Sequence, residues 1–201
     1  MRIILTRHGE TIGNIEGILQ GQNQGKLSIE GKKQAQKLGK RLKTEKIDVI
    51  YSSDLKRASD TAKAVHKYHT NTPLIHTEKL RERDFGKLNG IKASTIGYSK
   101  EKPIPSSFFI NKVKKYDLES NPDLQKRAKD FIDYLYKKHK KETVLVVSHA
   151  GFARALFSAI KGRKRLDGSS KMLRNTAVSI FEIDEDRKHK IILHNCTKHL
   201  E

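Results

Sequence analysis

Three apolar, β-branched runs constrain this chain more than any other feature. Each is long enough for a buried strand, and each passes at once into small or polar residues. Ile3-Ile4-Leu5 runs into Thr6-Arg7-His8-Gly9. Asp48-Val49-Ile50-Tyr51 runs into Ser52-Ser53-Asp54, and Val144-Leu145-Val146-Val147 into Ser148-His149-Ala150-Gly151. Helical patterns follow the second and third runs. Strands alternating with helices imply an α/β fold, a three-layer sandwich with a central sheet flanked by helices. A parallel or mixed sheet brings the ends of the three runs to one edge, where open α/β sheets bind ligands.

The rest of the chain fits that frame. The first strand is expected at residues 2–7, and Glu30 to Lys43 has helical spacing with Ala35, Leu38 and Leu42 on one stripe. A strand at 48–52 leads to a helix from Asp54 to about His69, with Ser53 or Asp54 as its N-cap. Pro73 to His76 reads as a short strand, and 97–121 as irregular. A helix over Asp123 to Lys141, a strand at 143–148, a helix at 151–160 and a basic loop at 161–174 follow. Ala177 to Ile183 and Lys190 to Leu193 read as a closing hairpin, which makes the sheet mixed but mostly parallel. At 201 residues, with no repeat or linker, one domain is expected over 1–201.

The strand ends carry the chemistry. Gly9 lets the backbone bend or approach a ligand closely. Arg57 falls in the first turn of its helix, where a cation opposes the helix dipole and implies a negative neighbour. Arg7, His8, Arg57 and His149 at one edge suit a phosphoryl dianion, because guanidinium forks match phosphate oxygens. The helix N-termini after Ser53 and His149 offer backbone donors to the same anion.

Composition narrows the alternatives. Lys+Arg total 42 against 23 Asp+Glu, a formal net charge of +19, which attracts anionic substrates. Nucleic acid is a weaker partner class, since the lysines are spread along the chain and no nucleic-acid-binding motif occurs. The single cysteine, Cys196, permits no intrachain disulfide. No signal peptide or membrane span is visible, so a cytoplasmic protein without membrane contact is expected. No metal-ligand spacing or phosphate-binding P-loop is present, so neither a metal nor another cofactor is expected. His66, His69, His76, His139, His189, His194 and His199 follow no ligand pattern and read as surface residues.

Taken in order, the motifs resemble the histidine phosphatase superfamily, with its phosphoglycerate-mutase-like fold. The likeness rests on Arg7-His8-Gly9-Glu10-Thr11 with Asn14, Leu19-Gln20-Gly21, Leu27-Ser28, and Ser52 to Ala58 with Thr61-Ala62. It continues through Leu80-Arg81-Glu82, Phe85-Gly86, Gly90, Glu119-Ser120, Arg127, Ser148 to Gly151, and Asn175. The resemblance implies that His8 is the nucleophile and forms a phosphohistidine. It implies that Arg7, Arg57 and His149 hold the phosphoryl oxygens, that Asn14 adds a contact, and that Gln20 and Gly21 lie at the phosphate site. Glu82 would protonate the leaving oxygen and then activate water. His8 must then be unprotonated at its reacting nitrogen, with the other nitrogen donating to a fixed acceptor. Glu82 must be partly buried to serve as an acid.

The phosphatase branch fits better than the mutases, which carry Arg-His-Tyr-Gly where this chain has Arg83-Asp84-Phe85-Gly86. The expected activity is metal-independent hydrolysis of a small phosphomonoester. Mutase-type phosphotransfer is the alternative, and a non-catalytic polyanion-binding module a third. Three departures from the family fall near the pocket: Asn89 for Glu, Gly25-Lys26 for an acidic residue and proline, and Ala150 for Gly. A specificity insertion is expected at about 91–121. It carries Lys100, Lys102, Lys112, Lys114 and Lys115, and a Phe108–Phe109 pair expected to pack it onto the domain, with lining of the substrate as the alternative.

Overall fold

Successive residues of a strand point to opposite faces, and that alternation divides the core of this chain in two. The structure is a computed structural model that describes residues 1–99, 102, 104–105, 107–163 and 172–201. In chain order its elements are β1 (Arg2–Arg7), α1 (Ile12–Ile15), β2 (Ile18–Leu19), α2 (Ile29–Leu42), β3 (Val49–Ser53), α3 (Lys56–His66) and β4 (Leu74–Thr77). Then come β5 (Ile91–Lys92), α4 (Phe108–Asn111), α5 (Val113–Tyr116), α6 (Asn121–Lys138), β6 (Thr143–Ser148), α7 (Ala150–Ile160), β7 (Val178–Ile183) and β8 (His189–Cys196).

The main sheet runs β4-β3-β6-β1-β7-β8. The first four strands are mutually parallel, β7 runs antiparallel to β1, and β8 runs antiparallel to β7. Ile3, Leu5, Val49, Tyr51, Val144 and Val146 face α6 and α7, meeting Phe131, Leu135, Phe152 and Leu156. The intervening Ile4, Ile50, Leu145 and Val147 face α2 and α3, meeting Leu38, Leu42, Ala62 and Val65. All ten strand residues are almost wholly buried, so a one-residue slip in register would put each on the wrong layer. The fold class expected from the sequence is therefore the one observed.

Several boundaries move. Helix α3 starts at Lys56 with Leu55 as N-cap and no side-chain cap, in place of Ser53 or Asp54. Ser53 Oγ accepts from the Leu55 amide, and Asp54 takes both nitrogens of an Arg81 fork, so neither is free to cap. Helix α6 starts at Asn121, two residues before Asp123, because Ser120 caps it and Pro122 fits the first turn. Its end at Lys138 falls short of Lys141, since His139 leaves helical geometry. His139 is buried, contrary to the surface expectation. Its ring bridges Tyr51 Oη at 3.0 Å and Glu142, which satisfies both nitrogens inside the protein.

The region expected to be irregular contains α4 and α5. Phe108 and Phe109 are buried in a separate apolar cluster with Leu88 and Leu118, so they pack the insertion onto the domain as expected. Lys102, Lys112, Lys114 and Lys115 are exposed. Lys100, Pro103 and residues 164–171 of the expected basic loop lie outside the described residues. No described helix is long and apolar enough to cross a membrane.

Candidate active site

Parallel pairing fixes which residues meet at the sheet edge. Arg7 stands in register with Ser148, and the His8 amide donates to the Ser148 carbonyl at 2.9 Å. The next residues on the two strands are therefore neighbours: the His8 and His149 ring centroids are 5.1 Å apart. Ser52 pairs with Val147 one strand over, which brings Arg57, at the start of α3, to the same place. Gly9 makes a close approach here, but to the protein. A Cβ on it would lie 2.5 Å from the Gly31 carbonyl oxygen.

His8 is 3% exposed, and its Nδ1 lies 2.7 Å from the Gly9 carbonyl. A carbonyl only accepts, so Nδ1 carries the proton and Nε2 holds a lone pair. Burial, with the charges of Arg7 and Arg57 adding to it, holds the imidazole well below the usual histidine range. The ring is thus neutral at physiological pH. Asn175 Nδ2 donates to the His8 carbonyl and Thr61 Oγ1 accepts the Gly9 amide, which fixes the backbone on both sides.

Arg57 is 1% exposed and its guanidinium is largely committed to protein acceptors. Nε donates to His149 Nδ1 at 3.1 Å, Nη1 to the Asn23 and Gln24 carbonyls, and Nη2 to the Gly21 carbonyl. A guanidinium has five N–H groups, so one on Nη2 remains. The negative neighbour implied by the sequence is this set of carbonyls, with Glu82 contributing from further off. Burial pushes the Arg57 pKa down to about 10, so it stays cationic. Because Arg57 donates to His149 Nδ1, the His149 proton sits on Nε2. That atom is buried with no partner among the described residues, as is Arg7 Nε. Arg7 Nη1 donates to the Leu173 carbonyl at 3.0 Å, which aims the rest of the guanidinium.

Both helix N-termini expected to meet the anion are taken by protein groups. At α3 the Lys56 amide donates to Gln24 Oε1. At α7 the Gly151 amide donates to Glu82 Oε2 and the Phe152 amide to Glu82 Oε1, each at 3.0 Å. Oε1 also accepts from the Arg83 amide at 2.8 Å. A carboxylate at a helix N-terminus complements the dipole, and Gly151 makes room: a Cβ there would lie 2.5 Å from Glu82 Oε1. Oε1 has both acceptor positions filled, and Oε2 keeps one open. Arg127 and Glu119 lock the segment from behind. Arg127 donates to the Lys79 and Arg81 carbonyls and pairs with Glu119 at 2.8 Å, and Glu119 accepts the Asp84 amide.

The remaining expected residues are arranged around Thr11. Asn14 Oδ1 accepts the Thr11 amide in a capping box, and Gln20 Nε2 donates to Thr11 Oγ1 at 2.7 Å. Gln20 Oε1 is buried without a partner among the described residues. Gly21 contributes its carbonyl to Arg57 Nη2 at 2.7 Å. Asn89 bonds Asp84 and the Phe85 amide, shaping the loop after Glu82. Glu10 accepts from Ser28 Oγ at 2.8 Å. Among the described residues no three His, Cys, Asp or Glu side chains are grouped to hold a metal ion. Sequence reading missed Asn23 and Gln24, which act through backbone carbonyls, and Arg154 of α7, whose Nε is also buried without a partner among the described residues.

The two site histidines give the fold an acid sensitivity. Both are held well below 6.5, chiefly by burial, so the folded chain refuses protons that the unfolded chain accepts near 6.5. Stability is then full above about pH 6.5 and declines below it, by up to about 1.4 kcal/mol per pH unit for each group. Urea unfolding at pH 7, 6 and 5 should show that decline. A His149→Gln variant should show a shallower one, and a flat wild-type profile would refute the account.

The chain is similar to known proteins in sequence and in fold. The family model described as "Histidine phosphatase superfamily (branch 1)" matches residues 3–197. The chain is 36% identical over 192 residues to a protein of Arabidopsis thaliana named metal-independent phosphoserine phosphatase, covering 92% of this chain and 77% of that one. It is 32% identical over 205 residues to phosphoserine phosphatase 1 of Hydrogenobacter thermophilus, covering 100% of this chain and 94% of that one. The solved structure of Bacillus stearothermophilus YhfR superposes with a TM-score of 0.85 at 30% identity, covering 100% of this chain and 99% of that chain.

Proposed function

The chain belongs to branch 1 of the histidine phosphatase superfamily, and from that premise we propose that it is a metal-independent phosphatase that hydrolyses small phosphomonoesters through a phosphohistidine on His8. One observation carries the residue assignment. The site groups a neutral His8, its ring 5.1 Å from that of His149, with two buried N–H donors, Arg7 Nε and His149 Nε2, that have no partner among the described residues. Buried donors are ordinarily satisfied. A phosphoryl group, with several acceptor oxygens and an electrophilic centre, answers both the donors and the lone pair.

The reaction then has two steps. His8 Nε2 attacks phosphorus while the ester P–O bond breaks, and Glu82 Oε2 delivers a proton to the departing oxygen. The phosphoryl oxygens are held by Arg7, His149 and the last Nη2 proton of Arg57, with Asn14 adding a contact. In the second step the Glu82 carboxylate takes a proton from water as its oxygen attacks phosphorus. The P–N bond breaks, its electron pair returns to His8, and inorganic phosphate leaves. The substrate is a small phosphorylated molecule, in keeping with relatives named for phosphoserine. The same reading takes residues 1–201 as one domain with a specificity insertion at about 91–121, working in the cytoplasm.

Hydrolysis of 4-nitrophenyl phosphate should be undiminished by excess EDTA. Loss of activity in EDTA would overturn metal independence. Interconversion of 2- and 3-phosphoglycerate, primed by a bisphosphate and faster than hydrolysis, would favour the mutase alternative.

A further inference from the structure

We propose that Arg154 forms an anion site for the leaving half of the substrate, and that this phosphatase prefers phosphomonoesters whose alcohol carries a carboxylate. The proposal rests on the phosphatase reading above. Its basis is a cavity of about 240 Å³ that opens beside Glu82 and Gly151. With Glu82 Oε2 delivering the proton, the departing oxygen sits next to this cavity and the alcohol half extends into it. Phe85 lines it together with Tyr98, Ile104 and Phe109 of the insertion, with the cations Arg83 and Arg154 on the wall. The volume lies just below the usual range for small-molecule pockets, so the alcohol is small.

The two arginines are not equivalent. Arg83 is tied to the protein through both terminal nitrogens: Nη1 donates to the Glu119 carbonyl, Nη2 donates to Asn121 Oδ1, and its guanidinium lies over the Phe109 ring at 4.2 Å. Arg154 is three residues beyond Gly151, so the two share a face of α7. Its Nε is buried and makes no hydrogen bond among the described residues. Partial burial holds its pKa below the usual arginine range, and the Glu82 charge opposes that shift. One planar fork with an open Nε matches one carboxylate, bidentately. A second phosphate would set a dianion beside Glu82 with one unpartnered guanidinium nitrogen to receive it. A neutral polyol would leave the guanidinium unpaired against walls that are mostly apolar. A site built around a buried donor rejects substrates that lack the acceptor.

Two esters that differ only at the far end test this: 3-phosphoglycerate, with a carboxylate, and glycerol 3-phosphate, with a hydroxymethyl group. The wild type should favour the carboxylate by roughly 10- to 100-fold in kcat/KM. Arg154→Gln should bring the ratio close to one, and Arg154→Lys should keep part of it. A wild-type ratio near one overturns the proposal. So does an Arg154→Gln variant that slows both esters equally, the mark of a purely structural residue. If Arg154→Gln does not fold, the wild-type and Arg154→Lys ratios decide. If no ester is hydrolysed, 4-nitrophenyl phosphate included, the phosphatase reading itself fails. Calorimetric binding of the two esters to wild type and Arg154→Lys then reads the same ratio without turnover.

Discussion

His8→Ala is expected to lower kcat/KM for every phosphomonoester by at least about 10⁴-fold, the largest loss any single substitution here should produce. The lone pair on Nε2 has no substitute in the site. His149 holds its proton on Nε2 and offers its other nitrogen to Arg57, so it cannot attack in place of His8. The fold should survive the change. The backbone of residues 8 and 9 is held through the Ser148 carbonyl, Asn175 and Thr61, none of which uses the imidazole. Brief exposure of the wild type to a ³²P-labelled ester, followed by denaturation, should leave acid-labile, base-stable label on the chain. His8→Ala should leave none. Residual turnover above about one per cent, or label persisting in the variant, would move the nucleophile elsewhere.

The strand ends were readable because they depend on local pattern. Continuous β-branched runs specify strands, and parallel pairing brings their C-terminal ends together, so Arg7, His8 and His149 could be grouped before any distance was known. Arg57 was recognised as anomalous in its first turn, but not why. Its partners are the carbonyls of Gly21, Asn23 and Gln24, and a backbone acceptor has no residue signature. The docking of Glu82 on α7 was hidden for a related reason. The helix N-terminus offers donors to any anion, and only the tertiary fold decides between a carboxylate 69 residues earlier in the chain and a ligand. His139 reads as a surface residue, and Arg154 draws no notice, because each looks like an ordinary polar side chain in the sequence. What distinguishes them is burial, which one residue type at one position does not encode.

The position of Glu82 makes its own test unusually specific. Glu82→Gln should cost roughly 10²- to 10⁴-fold in kcat/KM for an alkyl phosphate such as glycerol 3-phosphate. For 4-nitrophenyl phosphate, whose leaving group departs without a proton, the loss in the first step should be far smaller. The reason lies in the two carboxylate oxygens. Oε1 accepts from the Arg83 and Phe152 amides, and a glutamine oxygen can keep both bonds. The amide nitrogen then falls at Oε2, facing the Gly151 amide, and it can neither receive that bond nor carry an acidic proton to the leaving oxygen. Glutamine therefore preserves most of the docking on α7 while removing the proton shuttle. The second step should slow with both esters, because the variant cannot take a proton from water. Phosphoenzyme should accumulate, and 4-nitrophenyl phosphate should show a burst of nitrophenol followed by a slow steady state. Equal losses for the two esters with no burst would mean that Glu82 only braces the start of α7. The proton would then have to come from another group beside the leaving oxygen.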